Sequence, residues 1–128
     1  MMKASFLAAA LLAVAGLLAG CSSVPQHCNL TGSWTYTFQE NGRDDIQNGS
    51  MQLIQNGHKL SGKCNDAYGE FTVDGNINKE RIVIDAVRND NKRSCHMDAA
   101  LKHENEFAGT YSTDQNTSGT IKIKRVDQ

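Results

Sequence analysis

Leu30-Thr31-Gly32-Ser33-Trp34-Thr35-Tyr36-Thr37-Phe38-Gln39 alternates without a break. Leu30, Gly32, Trp34, Tyr36 and Phe38 fall on one face, and Thr31, Ser33, Thr35, Thr37 and Gln39 fall on the other. A period of two is that of a strand with one buried face, whereas a helix would repeat its apolar positions every three or four residues. The stretch therefore reads as a half-buried β-strand.

Working outward, the same period recurs in Met51/Leu53, Leu60/Gly62/Cys64, Phe71/Val73/Gly75/Ile77, Ile82/Ile84/Ala86, Cys95/Met97/Ala99/Leu101, Phe107/Gly109/Tyr111 and Gly119/Ile121/Ile123. With the first segment these make eight strands. Turn chemistry separates them at Asn41-Gly42, Asn48-Gly49, Asn56-Gly57, Asn78-Lys79, Asn89 to Lys92, His103 to Asn105 and Asp114 to Ser118. Asn-Gly supplies the positive φ angles of tight hairpins, so neighbouring strands are expected to pair in sequence order. The expected fold is all-β, a small eight-stranded antiparallel up-and-down barrel, because closure leaves no exposed edge. A two-sheet sandwich is the other architecture compatible with the pattern.

Ahead of the barrel, Met1-Met2-Lys3 gives a short positive start, and an apolar stretch follows from Ala4 to Ala19. It falls short of the roughly 20 apolar residues that span a bilayer, and reads as an export signal. Leu18-Ala19-Gly20-Cys21 resembles the lipobox of bacterial lipoproteins. The resemblance implies cleavage before Cys21, lipid on its sulfur and amine, and, with Ser22 next in the chain, an outer-membrane destination. Two or more acyl chains make a stable anchor, where one is marginal. The expected organisation is a signal peptide over 1–20, a lipidated N-terminus and tether over 21–29, and a barrel domain over 30–128.

Thirteen basic and fourteen acidic side chains give a net charge of -1, which disfavours a nucleic-acid partner bound through a basic field. Besides Cys21, the chain carries Cys28, Cys64 and Cys95, and an oxidising envelope permits one disulfide. If strands run alternately up and down, Cys64 closes the third strand and Cys95 opens the sixth at the same end, both facing inward. Cys64–Cys95 is therefore the expected pair, although these strands are not neighbours; three unlinked thiols are the alternative. His27, His58, His96 and His103 have no metal-ligand spacing and read as solvated side chains, so no metal and no cofactor is expected. No nucleophile-elbow, zinc-protease or phosphate-loop motif is present, and an enzyme is not expected.

Gly32-Ser33-Trp34, the unit from Met51 to Gly62, Val73-Asp74-Gly75-Asn76-Ile77, and Phe107-Ala108-Gly109-Thr110-Tyr111 with Ser118-Gly119-Thr120 before Arg125 resemble lipocalin-type (calycin) barrels. A weaker resemblance, around Cys64-Asn65, Gly69 and Cys95, is to META-domain lipoproteins. The lipocalin-like likeness implies a barrel with a ligand lumen and a lid over its mouth, here the loop from Glu40 to Ser50. The expected function is non-catalytic binding of a small apolar or amphipathic molecule, with Trp34, Tyr36, Phe38, Phe71, Met97, Phe107 and Tyr111 as wall residues. Leu53 and Ile84 would complete that wall. The small inward residues Gly62, Gly75, Ala86, Ala99 and Gly109 are expected to leave the space. The competing expectation is a filled barrel that binds an envelope or host protein, as an inhibitor of an envelope-attacking protease or lysozyme, or that serves as an accessory envelope lipoprotein. Lys122, Lys124 and Arg125 make the last strand basic, which either faces anionic lipid or blunts a sheet edge.

Overall fold

The computed structural model describes residues 29–126; the expected signal peptide, Cys21, His27 and Cys28 lie outside them. Eight strands follow one another: β1 Gly32–Glu40, β2 Gln47–Asn56, β3 Lys59–Asp66, β4 Gly69–Asn78, β5 Arg81–Arg88, β6 Ser94–His103, β7 Glu106–Thr113 and β8 Ser118–Arg125. Each pairs antiparallel with the next, and β8 pairs with β1 through Trp34↔Arg125 to Glu40↔Gly119, so the sheet closes into an up-and-down barrel. Closure removes the sandwich alternative. It also removes any edge for β8 to blunt: Lys122 and Lys124 point into solvent from an internal strand.

Hairpin chemistry sets the register where positive φ is needed. Gly57 (φ 65°) turns β2 into β3, and Lys79 and Asn105 adopt left-handed conformations in two-residue turns at the same end. Asn48-Gly49 behaves differently from its expected role as a turn: both residues lie inside β2, with Gly49 directly across from Tyr36. A Cβ on Gly49 would stand 2.5 Å from Tyr36 Cζ and 2.8 Å from the Asn65 carbonyl oxygen. The glycine is there to seat the tyrosine ring, and the expected loop from Glu40 to Ser50 shrinks to residues 41–46.

The alternating apolar faces form one core. Leu30, Trp34, Ile84, Phe107 and Ile123 are at most 1% exposed, and no polar or charged residue is fully buried among the described residues. One end of the barrel is sealed. Trp34 and Phe107 pack with ring centroids 5.9 Å apart, Leu30 lies against them, and Trp34 Nε1 donates to the Leu30 carbonyl at 2.9 Å. Arg125 covers the seal from outside, its guanidinium carbon 4.5 Å from the centre of the Trp34 ring. Its Nε donates to Asn105 Oδ1 at 3.1 Å, and its terminal nitrogens donate to the carbonyls of Thr31 at 3.3 Å and Asn29 at 2.5 Å. Arg125 is thus a structural cap and not part of an outward basic stripe.

Candidate functional site

Because the strands alternate in direction, the connections after the odd strands gather at the unsealed end: residues 41–46, 67–68, 89–93 and 114–117. They surround a mouth that opens into a cavity of about 220 Å³. Met97, Ala86 and Ile121 line its deeper part, and Tyr36, Phe38, Phe71 and Tyr111 line its walls.

Of the nine wall residues expected from sequence, Tyr36, Phe38, Phe71, Met97 and Tyr111 line this space, whereas Leu53 and Ile84 are packed in the core. Trp34 and Phe107 do not line it either; they plug the opposite end. The small residues diverge further from expectation, since only Ala86 faces the cavity. At Gly62, Gly75 and Gly109 the backbone of the adjoining strand fills the place a Cβ would take, against Gln52, Val83 and Asp98 respectively. These glycines let strands approach closely where the barrel bends, which closes space. Ala99 is 2% exposed and lies among packed side chains.

Phe38 is the centre of the aromatic lining. The Tyr36 ring lies 5.9 Å from it in a stacked arrangement, Tyr111 meets it edge-on at 5.6 Å, and Tyr68 stands 6.3 Å away on the rim. Tyr36 Oη donates to Asp66 Oδ2 at 2.6 Å, and the Tyr68 backbone N–H donates to Asp66 Oδ1 at 2.8 Å, so the carboxylate joins wall to rim. Burial, aided by Cys64 and Asp66, pushes the Tyr36 phenol far above its ordinary range. It is a hydrogen-bond donor at any physiological pH.

The Cys64–Cys95 disulfide expected from shared face and end is not formed: both are free thiols, and both line the mouth. β4 and β5 stand between β3 and β6, so no strand pairing brings the two cysteines side by side, and a disulfide needs Cα atoms within about 7 Å. Burial pushes the Cys64 thiol up to about 11 and the Cys95 thiol up to about 12, the latter helped by Cys64, Asp66, Asp85 and Asp114. Thiols held protonated are poor nucleophiles.

The charged rim was missed by periodicity, because it sits in the turns and on the last residues of the strands that lead into them. Glu40, Asp45, Asp66 and Asp114 face Arg43, Arg88 and Arg93 across the mouth. Arg43 pairs with Asp45 at 3.2 Å and Arg88 with Asp90 at 3.0 Å. Strand-direction parity is the sequence signal that could have found it, since that parity alone assigns four turns to one end. His96 is on the outer wall with its Nδ1 2.7 Å from Asp85 Oδ1, and His58 Nδ1 is 3.2 Å from the Ile77 carbonyl oxygen at the sealed end. Among the described residues no three metal-ligating side chains come together.

No family model matches the chain, and no curated protein matches it. Among solved structures it is similar to a redesigned beta barrel at 13% identity and a TM-score of 0.67, with 84% of this chain and 100% of that one covered. It is also similar to the redesigned beta barrel mFAP1, bound to DFHBI, at 13% identity and a TM-score of 0.56, covering 75% of this chain and 94% of that one. At such identity the likeness concerns the fold, an eight-stranded antiparallel barrel.

Proposed function

We propose that this chain is a non-catalytic, lipid-anchored protein of the bacterial outer membrane whose barrel mouth binds a small amphipathic molecule. One observation carries the binding reading: the 220 Å³ cavity at one end of an otherwise packed barrel, walled by aromatic side chains and ringed by charge. Pockets for drug-sized ligands run from about 300 to 1,000 Å³, so the occupant is compact, with an apolar part the size of one ring or a short chain. The lipocalin-like resemblance supports a barrel lumen as a ligand site, and the similar redesigned barrel mFAP1 is bound to DFHBI. The anchor reading rests on Leu18-Ala19-Gly20-Cys21.

The test is titration of the full chain with neutral one-ring probes such as benzyl alcohol, followed by the NMR shift of the Met97 methyl group. Ala86→Phe, which fills the cavity, should abolish the shift while the barrel stays folded. Wild-type protein that shows no shift at millimolar probe rejects small-ligand binding. For the anchor, Cys21→Ser should remain unprocessed and unlabelled by palmitate; normal labelling rejects it.

A second reading, a protein-binding inhibitor acting through its rim, is favoured by two large apolar side chains beside the mouth. Ile46 is 64% exposed and Tyr68 49% exposed. Aromatic anchors such as Tyr68 often carry protein interfaces. If this reading holds, inhibition of a lysozyme or envelope protease should be lost on Tyr68→Ala and survive Ala86→Phe.

A further inference from the structure

Resting on the small-ligand reading, we propose that the mouth is selective for charge and that its ligand is a compact organic cation, an amine or quaternary ammonium with an apolar body. A cation is attracted to the faces of aromatic rings within about 6 Å of their centroids. Phe38, Tyr36, Tyr68 and Tyr111 form a continuous aromatic lining with neighbouring centroids 5.6–6.3 Å apart, so a group entering the cavity meets several rings together.

The rim has the matching sign. Arg43 and Arg88 are each engaged by an aspartate of their own turn, Asp45 and Asp90. That leaves Glu40, Asp66 and Asp114 against Arg93 at the mouth. An anionic head would meet Arg93 as the one guanidinium not engaged by an aspartate of its turn, against the carboxylates of Glu40, Asp114 and Asp66, the last already accepting from Tyr36 and Tyr68. A cationic head would meet the aromatic lining below and carboxylates above. The ionisable groups inside the cavity register the same field. Carboxylates contribute to raising Tyr36 and Cys64 (Asp66), Cys95 (Asp66, Asp85 and Asp114) and Tyr111 (Glu40), in each case after burial as the larger cause.

Three probes of one shape separate charge from size: choline, its neutral carbon isostere 3,3-dimethylbutan-1-ol, and the anion 3,3-dimethylbutanoate. Titrated into the full chain in detergent, with the Met97 methyl group as reporter, choline should bind about tenfold more tightly than the neutral isostere. The anion should bind most weakly. Raising the salt concentration from low to 0.5 M should narrow the gap, since rim charges are screened. Glu40→Gln, which breaks no hydrogen bond seen here, should reduce the preference severalfold; Phe38→Leu should reduce it further while keeping the cavity apolar. Equal binding of choline and the neutral isostere, or tighter binding of the anion, overturns the cation assignment and leaves small-ligand binding standing. Binding of neutral one-ring probes with no binding of choline does the same. If neither choline nor any neutral probe binds, both readings fall.

Discussion

Replacing Arg125 should destabilise the barrel far more than a residue at the end of a strand normally would. Its guanidinium lies 4.5 Å from the Trp34 ring centre and donates to Asn105, Thr31 and Asn29, tying β8, the β6–β7 turn and the chain before β1 together. The cation–ring contact is worth about 1–2 kcal/mol at a partly desolvated site. Hydrogen bonds from a charged donor are worth about 1.5–3 kcal/mol when buried, and here, at the solvent boundary, roughly half that. Because these contributions are not additive, Arg125→Ala should cost about 3–4 kcal/mol. For a domain of this size that lowers the melting temperature by about 12–30 °C. Arg125→Lys keeps the charge but not the planar fork, and should recover no more than about a third of the loss. Urea unfolding followed by Trp34 emission measures both, because Trp34 is the single tryptophan. If Arg125→Lys lies within 0.5 kcal/mol of wild type, about the size of an ordinary surface substitution, the cap is not what holds this end shut.

Gly49→Ala should displace the Tyr36 ring and break its bond to Asp66, costing about 2–4 kcal/mol from overpacking and the lost hydrogen bond together; a change below 1 kcal/mol in thermal unfolding would show that the ring can shift freely. Ala86→Phe should leave stability nearly unchanged because space is present, whereas Ala99→Phe should lose about 1–3 kcal/mol or more; the opposite ranking in chemical denaturation would place the void elsewhere. Cys64 and Cys95 have thiols raised by burial to about 11 and about 12, above the ordinary value near 9. The folded state then binds more protons than the unfolded one between these values, so stability should be flat below pH 9 and fall as pH rises towards 12. Both thiols should also react slowly with Ellman's reagent at pH 8 in native protein and quickly in urea; fast native reaction would contradict their burial.

Much of the barrel was legible along the chain because each strand carries its own evidence. The unbroken alternation from Leu30 to Gln39 and the repeats around Leu60, Ile84 and Ile121 each declare a buried face, and Asn56-Gly57 declares a hairpin. The errors share a cause. Asn48-Gly49 has turn chemistry, yet what determines its place is the ring of Tyr36 on the neighbouring strand. Gly62, Gly75 and Gly109 look like room because a missing side chain leaves a gap in one dimension, while in three dimensions the next strand's backbone moves in.

The sequence by itself determined the strand count, the inward faces, the pairing order and the set of aromatic side chains available to a lumen. These follow from local rules, the two-residue pleat and the positive φ of Asn-Gly turns, which need no knowledge of distant residues. Only the tertiary structure decided which aromatics line the cavity and which seal it. It did so because closure of β8 onto β1 brings Arg125 over Trp34, sets Phe107 in the plug, and leaves Cys64 and Cys95 as free thiols on strands that are not neighbours. Distance around a closed wall depends on how many strands the sheet contains and where it meets itself, and no stretch of the chain carries that information alone.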